Sequence, residues 1–242
     1  MVGAPVIEFE LPEPEYRELT LDSRAAHRGG DGAPEQDPLR GLVLVDGPRG
    51  WRLTADQVRA ADPGIGTYLG PDPDRNGYYF VYLTVSFTAR ASRKLASADV
   101  KITLAADPDT PPPFALSMKP LKDGDPVSVE RTASLGPKLK LLDVAEAEIG
   151  HADRKRTFEQ TNLFVRGQLS GSRPRWEFTR TDSRRLDGAC TLQMVVQAGL
   201  GSALTVTGEV TARTTGNIVW PFGADLPDPL HFDPFHLDKE TA

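Results

Sequence analysis

The chain has 242 residues, of which 39% are hydrophobic and 26% are charged, so it carries enough apolar side chains for a folded core. This composition excludes a chain that is disordered throughout. The formal net charge of −6 excludes a general electrostatic attraction to nucleic acid or to an anionic membrane, because both are also negatively charged.

The first forty residues are predicted to form an N-terminal arm. Residues 6–11 have the apolar content of one strand, and residues 22–40 combine glycine, proline and charged side chains in the manner of a flexible linker. Three apolar residues of this arm are candidates for adding a strand to a neighbouring chain, namely Val6, Ile7 and Phe9.

Residues 41–220 are predicted to form one β-domain. In its first half, apolar runs and the alternation of apolar with polar side chains predict strands at residues 41–45, 78–89 and 98–105. A short helix is expected to begin at Thr54, because Thr54 and Gln57 have the spacing of a capping box.

The second half of the domain continues the strand pattern after an ambiguous stretch. Residues 138–160 fit either strands or a helix, and both interpretations stay open. Further strands are predicted around Val165, at Trp176 and Phe178, and at residues 189–196 and 204–214. Short strands separated by close turns indicate an all-β protein, an antiparallel β-sandwich with one short helix and extended N- and C-terminal arms.

Residues 221–242 form a proline-rich, acidic C-terminal tail. The prolines prevent a long regular strand or helix, so the tail is expected to be extended. Its apolar side chains either bind a groove or a sheet edge on another protein, or fold back on their own domain, and the sequence leaves both open. The candidate partner-binding residues of the tail are Leu230, Phe232, Phe235 and Leu237.

Motifs for catalysis, cofactors and metals are incomplete. Residues 72–77 resemble the start of a calcium loop, but Leu83 stands where the loop needs a bidentate glutamate. His231 and His236 match no zinc-binding spacing, and the single cysteine, Cys190, is expected to be buried and inert. We therefore predict no catalytic residue, no cofactor and no metal site.

The densest basic cluster supplies a candidate anion site, formed by Arg173, Arg175, Arg184 and Arg185. The alternative is structural, because Arg173 and Arg175 have the opposite strand parity to Trp176 and Phe178. That parity would turn the two rings into the core and the arginines into water. Nucleic acid is not an expected partner.

The compartment is predicted from three features. One cysteine cannot form a disulfide within the chain, the first ten residues lack the pattern of a secretory signal, and no stretch approaches the roughly 18 apolar residues that span a bilayer. We expect a cytoplasmic protein without a membrane partner.

We favour a non-enzymatic interaction or structural module that assembles with itself or with a protein partner through its terminal arms. One alternative is a sandwich that binds carbohydrate or another small ligand through exposed aromatic rings such as Tyr78, Phe80, Tyr82 or Trp220. A further alternative is a sandwich-fold or metal-dependent hydrolase, which requires a pocket with two close carboxylates or a cluster of histidine and aspartate.

Overall fold

A computed structural model describes residues 7–23, 38–61, 65, 69, 75–88, 94–123, 132–135, 164–181, 185–215 and 221–234. These residues form antiparallel β-strands and a short helix, which confirms the predicted all-β sandwich. The elements are β1 (Ile7–Glu10), β2 (Arg17–Glu18), β3 (Asp22–Ser23), β4 (Val43–Leu53), α1 (Ala55–Ala61), β5 (Asn76–Phe87), β6 (Leu95–Ala106), β7 (Phe114–Lys119), β8 (Lys122–Asp123), β9 (Thr132–Leu135), β10 (Val165–Gln168), β11 (Arg175–Thr179), β12 (Gly188–Gly199), β13 (Leu204–Thr214), β14 (Phe222–Asp225) and β15 (Leu230–Phe232).

Two sheets carry the main core between their inner faces. The five-stranded sheet has the order β2–β4–β5–β12–β7. The eight-stranded sheet has the order β3–β14–β13–β6–β11–β10–β8, and β15 also pairs with β13. Strands β1 and β9 pair with each other as a separate ribbon. Alternate residues of the long strands enter the core, as the period of two predicts, for example Val81, Leu83 and Val85 of β5.

The helix covers the outer face of the five-stranded sheet. Val58 of α1 belongs to a second buried cluster with Tyr78, Phe80 and Tyr82, the outward-facing residues of β5. The predicted capping box is present at the start of the helix. The Thr54 amide donates to Gln57 Oε1 at 2.8 Å, and the Gln57 amide donates to Thr54 Oγ1 at 3.1 Å.

The chain crosses between the sheets on two sides of the sandwich. On one side β2 pairs with β4 of the first sheet, and β3 then pairs with β14 of the second. On the other side β7 pairs with β12, and β8 then pairs with β10. At each crossing, one strand pairs at the edge of one sheet and the next strand pairs at the edge of the other sheet. These short strands cover backbone groups that would otherwise be unpaired at the sheet edges.

Strands β4, β14 and β15 differ from the sequence-based prediction. Strand β4 continues to Leu53 rather than ending near residue 45, because a register shift between Asp46 and Arg49 accommodates Gly47 and Pro48 within the strand. The proline-rich tail contributes β14 and β15, each too short to show a periodic pattern. The predicted division of the chain at residues 40 and 220 stays a prediction.

Residues of both predicted arms contribute to the main core. Leu19, Leu21 and Leu39 are buried on the N-terminal side, and Phe222 and Leu226 are buried on the C-terminal side. Residues 221–242 therefore cannot be removed as a whole without taking side chains out of the core.

Phe222→Ala is expected to lower the free energy of unfolding by about 3–5 kcal/mol, because Phe222 is only 3% exposed and truncation leaves a cavity. Phe114→Ala is the matched control, since Phe114 is 39% exposed and its truncation should change stability by no more than about 0.5 kcal/mol. Urea unfolding of both variants measures the difference. Equal effects would contradict the placement of Phe222 in the core.

Candidate functional site

The C-terminal segment (residues 222–232) runs along β13 as one interrupted strand. Strand β14 pairs with residues 209–212, the Leu226 amide donates to the Gly208 carbonyl at 2.8 Å, and β15 pairs with residues 204–206. Three residues, 227–229, thus stand opposite Thr207 alone. Pro227 and Pro229 have no amide hydrogen to donate, which explains why the pairing stops there.

The last three residues of this segment occupy a groove between the sheets. We call it the strand groove, the space between β13 and Gly50 of β4 that holds Leu230 and Phe232. Both side chains are partly buried against the main core, and the Phe232 ring lies 4.6 Å from the Tyr79 ring. A Cβ atom on Gly50 would lie 2.4 Å from the Phe80 carbonyl oxygen and 2.9 Å from Phe232 Cζ, so only glycine fits between β5 and the ring.

The middle residue of β15 faces away from the groove. His231 is exposed, and its Nδ1 atom forms a 3.1 Å hydrogen bond with Thr205 Oγ1 of β13. The segment therefore places an apolar residue, a polar residue and an apolar residue in turn, the pattern of a strand that covers one face of a core. Recognition of such a strand requires main-chain pairing and two apolar contacts.

A small charged cleft lies where the C-terminal segment is interrupted. We call this region, of about 180 Å³, the charged cleft. The Arg17 guanidinium of β2 donates to the Asp228 carboxylate, and both side chains are 60% exposed. This ion pair connects the body of the sandwich to the interruption in the C-terminal segment. The charged residues around the cleft are Glu15, Arg17, Asp46, Arg49 and Asp228.

The buried wall of the cleft is a polar group on β4, and Tyr82 of β5 lies next to this group. Asp46 is 4% exposed and accepts a 2.8 Å hydrogen bond from Arg49 Nη2. Burial acts to lower the pKa of Arg49, but the neighbouring Asp46 carboxylate outweighs it and the pKa is raised. Burial also raises the pKa of Tyr82, against the effect of the Arg49 charge. The Tyr82 hydroxyl is buried without a hydrogen-bond partner.

Both predicted arms pair with their own chain where the structure describes them. Leu230 and Phe232 lie in the strand groove, and β1 pairs Ile7 with Leu135 and Phe9 with Ala133. Binding of these residues to another chain stays a prediction. The other candidates of the arms, Val6, Phe235 and Leu237, lie outside the described residues.

The predicted anion site is divided between elements. Arg175 lies on the outer face of β11 with its Nη2 atom 3.6 Å from Glu177 Oε2, while Trp176 and Phe178 are buried as the parity predicts. Arg173 is exposed before β11, and Arg185 is exposed before β12, which belongs to the other sheet. Arg184 lies outside the described residues, and anion binding stays a prediction.

The aromatic platform expected for a carbohydrate site is not formed by β5. Tyr78, Phe80 and Tyr82 are at most 2% exposed, because α1 and its neighbours cover them, so the proposal that these rings are exposed was wrong. Trp220 lies outside the described residues. The period of two placed these rings on the outer face, but it could not reveal that a second layer covers that face.

The part of the chain that the structure describes contains neither a metal-binding cluster nor a membrane-spanning helix. Among the described residues, no three histidine, cysteine, aspartate or glutamate side chains lie close enough to hold a metal ion. Cys190 is buried, as expected. Within the same part of the chain, no helix has the length and apolar content to span a bilayer.

Sequence reasoning missed the charged cleft. Arg17 and Asp228 are 211 positions apart, and no local pattern connects them. Two sequence signals near the cleft were available. Gly50 within β4 indicates close approach by another segment, and the Pro–Asp–Pro sequence before Leu230 indicates an interruption in strand pairing.

Comparison with known proteins gives distant structural similarity and no family. No protein-family model and no curated protein matches the sequence. The crystal structure of BcpA*(D312A), the major pilin subunit of Bacillus cereus, is similar with a TM-score of 0.32 and 12% identity. The match covers 66% of this chain and 34% of that chain, so it spans about a third of the pilin subunit. At this TM-score the similarity is too distant to indicate a shared function.

Asp99, on the outer face of β6 beside Arg175, gives a pH-dependent prediction. Burial raises the pKa of this carboxyl despite the nearby Arg175 charge. The unfolded chain therefore ionises Asp99 more readily, and stability is lost as the pH rises above the ordinary carboxyl pKa of about 3.9. Asp99→Asn should thus raise the Tm at pH 7 and have little effect at pH 3.

Thermal unfolding between these pH values measures the difference. The exposed Asp109→Asn change is the control for the substitution itself. An Asp99→Asn effect that does not grow from pH 3 to pH 7 would contradict the proposed cost of burying the charge.

Proposed function

We propose that this chain is a non-enzymatic structural or interaction module that binds a protein partner by accepting an apolar strand along β13. The observation that carries the proposal is the fit of β15, which inserts Leu230 and Phe232 into the strand groove and pairs with residues 204–206. A strand of the same pattern from a partner would make the same contacts.

The chemistry of such recognition divides between backbone and side chains. Main-chain hydrogen bonds to the edge of β13 supply affinity without regard to sequence, and the groove selects apolar residues two positions apart. Gly50 forms one wall of the groove, since any larger residue would meet both the Phe80 carbonyl oxygen and the ring that enters the groove. The partner is therefore expected to carry two apolar residues, one of them aromatic, around a polar residue.

The native occupant is held by few contacts. Strand β15 has three residues, and its two apolar side chains remain partly exposed. Complete burial of such side chains contributes about 1.5–3 kcal/mol each, so local release of β15 costs much less than unfolding the domain. Because this cost is small, a minor population with an open groove is expected under native conditions.

A second candidate function is binding of a small polar ligand in the charged cleft. The charged lining of the cleft favours it, because the buried Asp46 carboxylate and its Arg49 partner lie beside the exposed Arg17–Asp228 pair and can bind polar groups. The volume of the charged cleft suits a small ligand of a few atoms rather than an oligosaccharide.

Tyr82→Phe tests whether the buried Tyr82 hydroxyl lacks a hydrogen-bond partner. Removing an unsatisfied buried hydroxyl should raise the free energy of unfolding, by roughly 1 kcal/mol. Thermal and urea unfolding measure the change, with Tyr16→Phe, which is 39% exposed, as the matched control. A loss of stability in Tyr82→Phe would mean that the hydroxyl already has a partner, for which the neighbouring Arg49 guanidinium is the candidate.

The principal proposal is tested by trapping a strand in trans. The full chain carrying Thr205→Cys is mixed with a peptide of residues 222–234 that carries His231→Cys, because these two positions face each other across the pair. We expect a mixed disulfide, since the peptide replaces β15 when the segment opens. The yield is measured by intact mass.

The matched control is the same peptide with Leu230→Asp and Phe232→Asp, which keeps the thiol and loses the groove contacts. Equal yields from the two peptides would show that the groove does not select the strand, and the proposed function would be wrong. Cys190 is buried and should not compete for the peptide.

A further inference from the structure

We propose that the partner is a second copy of this chain, and that two copies exchange their C-terminal segments reciprocally. This inference rests on the proposed function, because it requires that β13 accept a strand in trans. Each copy carries both the strand groove and the segment that fits it. Reciprocal exchange then produces a closed two-fold dimer in which both grooves are filled.

The sandwich of a second copy can make every contact that the C-terminal segment makes with its own sandwich. Phe222 and Leu226 enter the main core, Leu230 and Phe232 enter the strand groove, and both strands pair with β13. None of these contacts depends on which chain supplies the segment. An exchanged dimer therefore keeps the pairing and burial of the monomer, which is why domain swapping is a low-cost route to association.

The connection to the segment is long enough for exchange. Strand β13 ends at Thr214 and β14 begins at Phe222, so residues 215–221 separate them. Seven extended residues span at most about 25 Å. This reach allows the segment to leave its own β13 and lie along the β13 of a neighbour.

The ion pair in the charged cleft tells the two states apart experimentally. Arg17 belongs to the receiving body, and Asp228 belongs to the segment that moves. In the monomer the two residues come from one chain, whereas in the exchanged dimer they come from different chains. Because both side chains are 60% exposed, their charges can be reversed without burying an unpaired charge.

The test mixes two full-length variants, Arg17→Asp and Asp228→Arg. Each variant alone has like charges at this position in the monomer and in its own dimer. The exchanged heterodimer restores opposite charges at both positions, because each body receives the segment of the other variant. An equal mixture should therefore form dimers about tenfold more readily than either variant alone, from two exposed contacts changed from repulsive to attractive.

The mixtures are incubated at a chain concentration on the order of millimolar, so that the segment of a neighbour competes with the chain's own segment. The mass of the particles is then measured by light scattering after size exclusion, where one chain has a mass of 26.3 kDa. The preference for the mixture should decrease at high salt, because salt screens exposed charges. The chain with both changes restores the pair within one molecule and should behave like the unmodified protein. Thermal unfolding of each variant shows that it remains folded.

A second measurement keeps the test decisive if one charge variant fails to fold. Full chains with Thr205→Cys and full chains with His231→Cys are mixed, and an interchain disulfide between them is expected after mild oxidation. Thr103→Cys, on the neighbouring strand β6, replaces Thr205→Cys in the control and should give no such product.

Mixtures that remain monomeric, together with no interchain disulfide, would overturn the exchange. A dimer of equal abundance in the mixture and in each variant alone would overturn it as well, since the segment would not cross between chains. If the peptide is trapped but full chains do not exchange, the groove accepts strands and only the second-copy partner is wrong. If neither occurs, the proposed function itself fails.

Discussion

The edge of β13 is the constraint on which the rest of this structure depends. Strand β13 pairs with β6 along its length and would expose its other edge to solvent if the C-terminal segment were absent. Unpaired backbone groups at such an edge invite pairing with any other chain. The segment satisfies them in two pieces, and it also fills the core at Phe222 and the strand groove at Phe232.

The interruption in this cover follows from its sequence. Prolines at 227 and 229 cannot donate to β13, so the segment leaves the sheet and places Asp228 beside Arg17. The same residues that weaken the backbone pairing thus create the ion pair. The ion pair is exposed and stabilises the fold little, so the position of the segment depends mainly on its strand pairing and its buried side chains.

Local patterns predicted the strands that dominate the core. Strand β13 was predicted at its observed bounds, because Val206, Val210 and Ala212 alternate with polar residues over one long run. The Thr54–Gln57 capping box likewise depends only on neighbours in sequence. Features that join distant residues were not predictable, since Gly50, Phe232 and Tyr79 meet only after three separate strands have folded.

Burial of the aromatic face of β5 shows the same limit. Alternation correctly separated Tyr79 from Tyr78, Phe80 and Tyr82, but both sets are buried because α1 adds a layer over the outer face. A period of two reports which residues share a face and not what covers that face. The burial of Tyr78, Phe80 and Tyr82 bears on function, because buried rings cannot bind a sugar. It also leaves the Tyr82 hydroxyl without a hydrogen-bond partner.

The monomer and an exchanged dimer contain the same strand contacts, so those contacts cannot decide between them. The equilibrium between monomer and exchanged dimer instead depends on the residues that connect β13 to β14 and on the concentration of the chain. A segment attached to its own body has an effective concentration on the order of millimolar, and a neighbour at micromolar concentration competes poorly with it. Exchange is therefore expected to matter where many copies are held close together, which is the condition that a structural module creates by assembling.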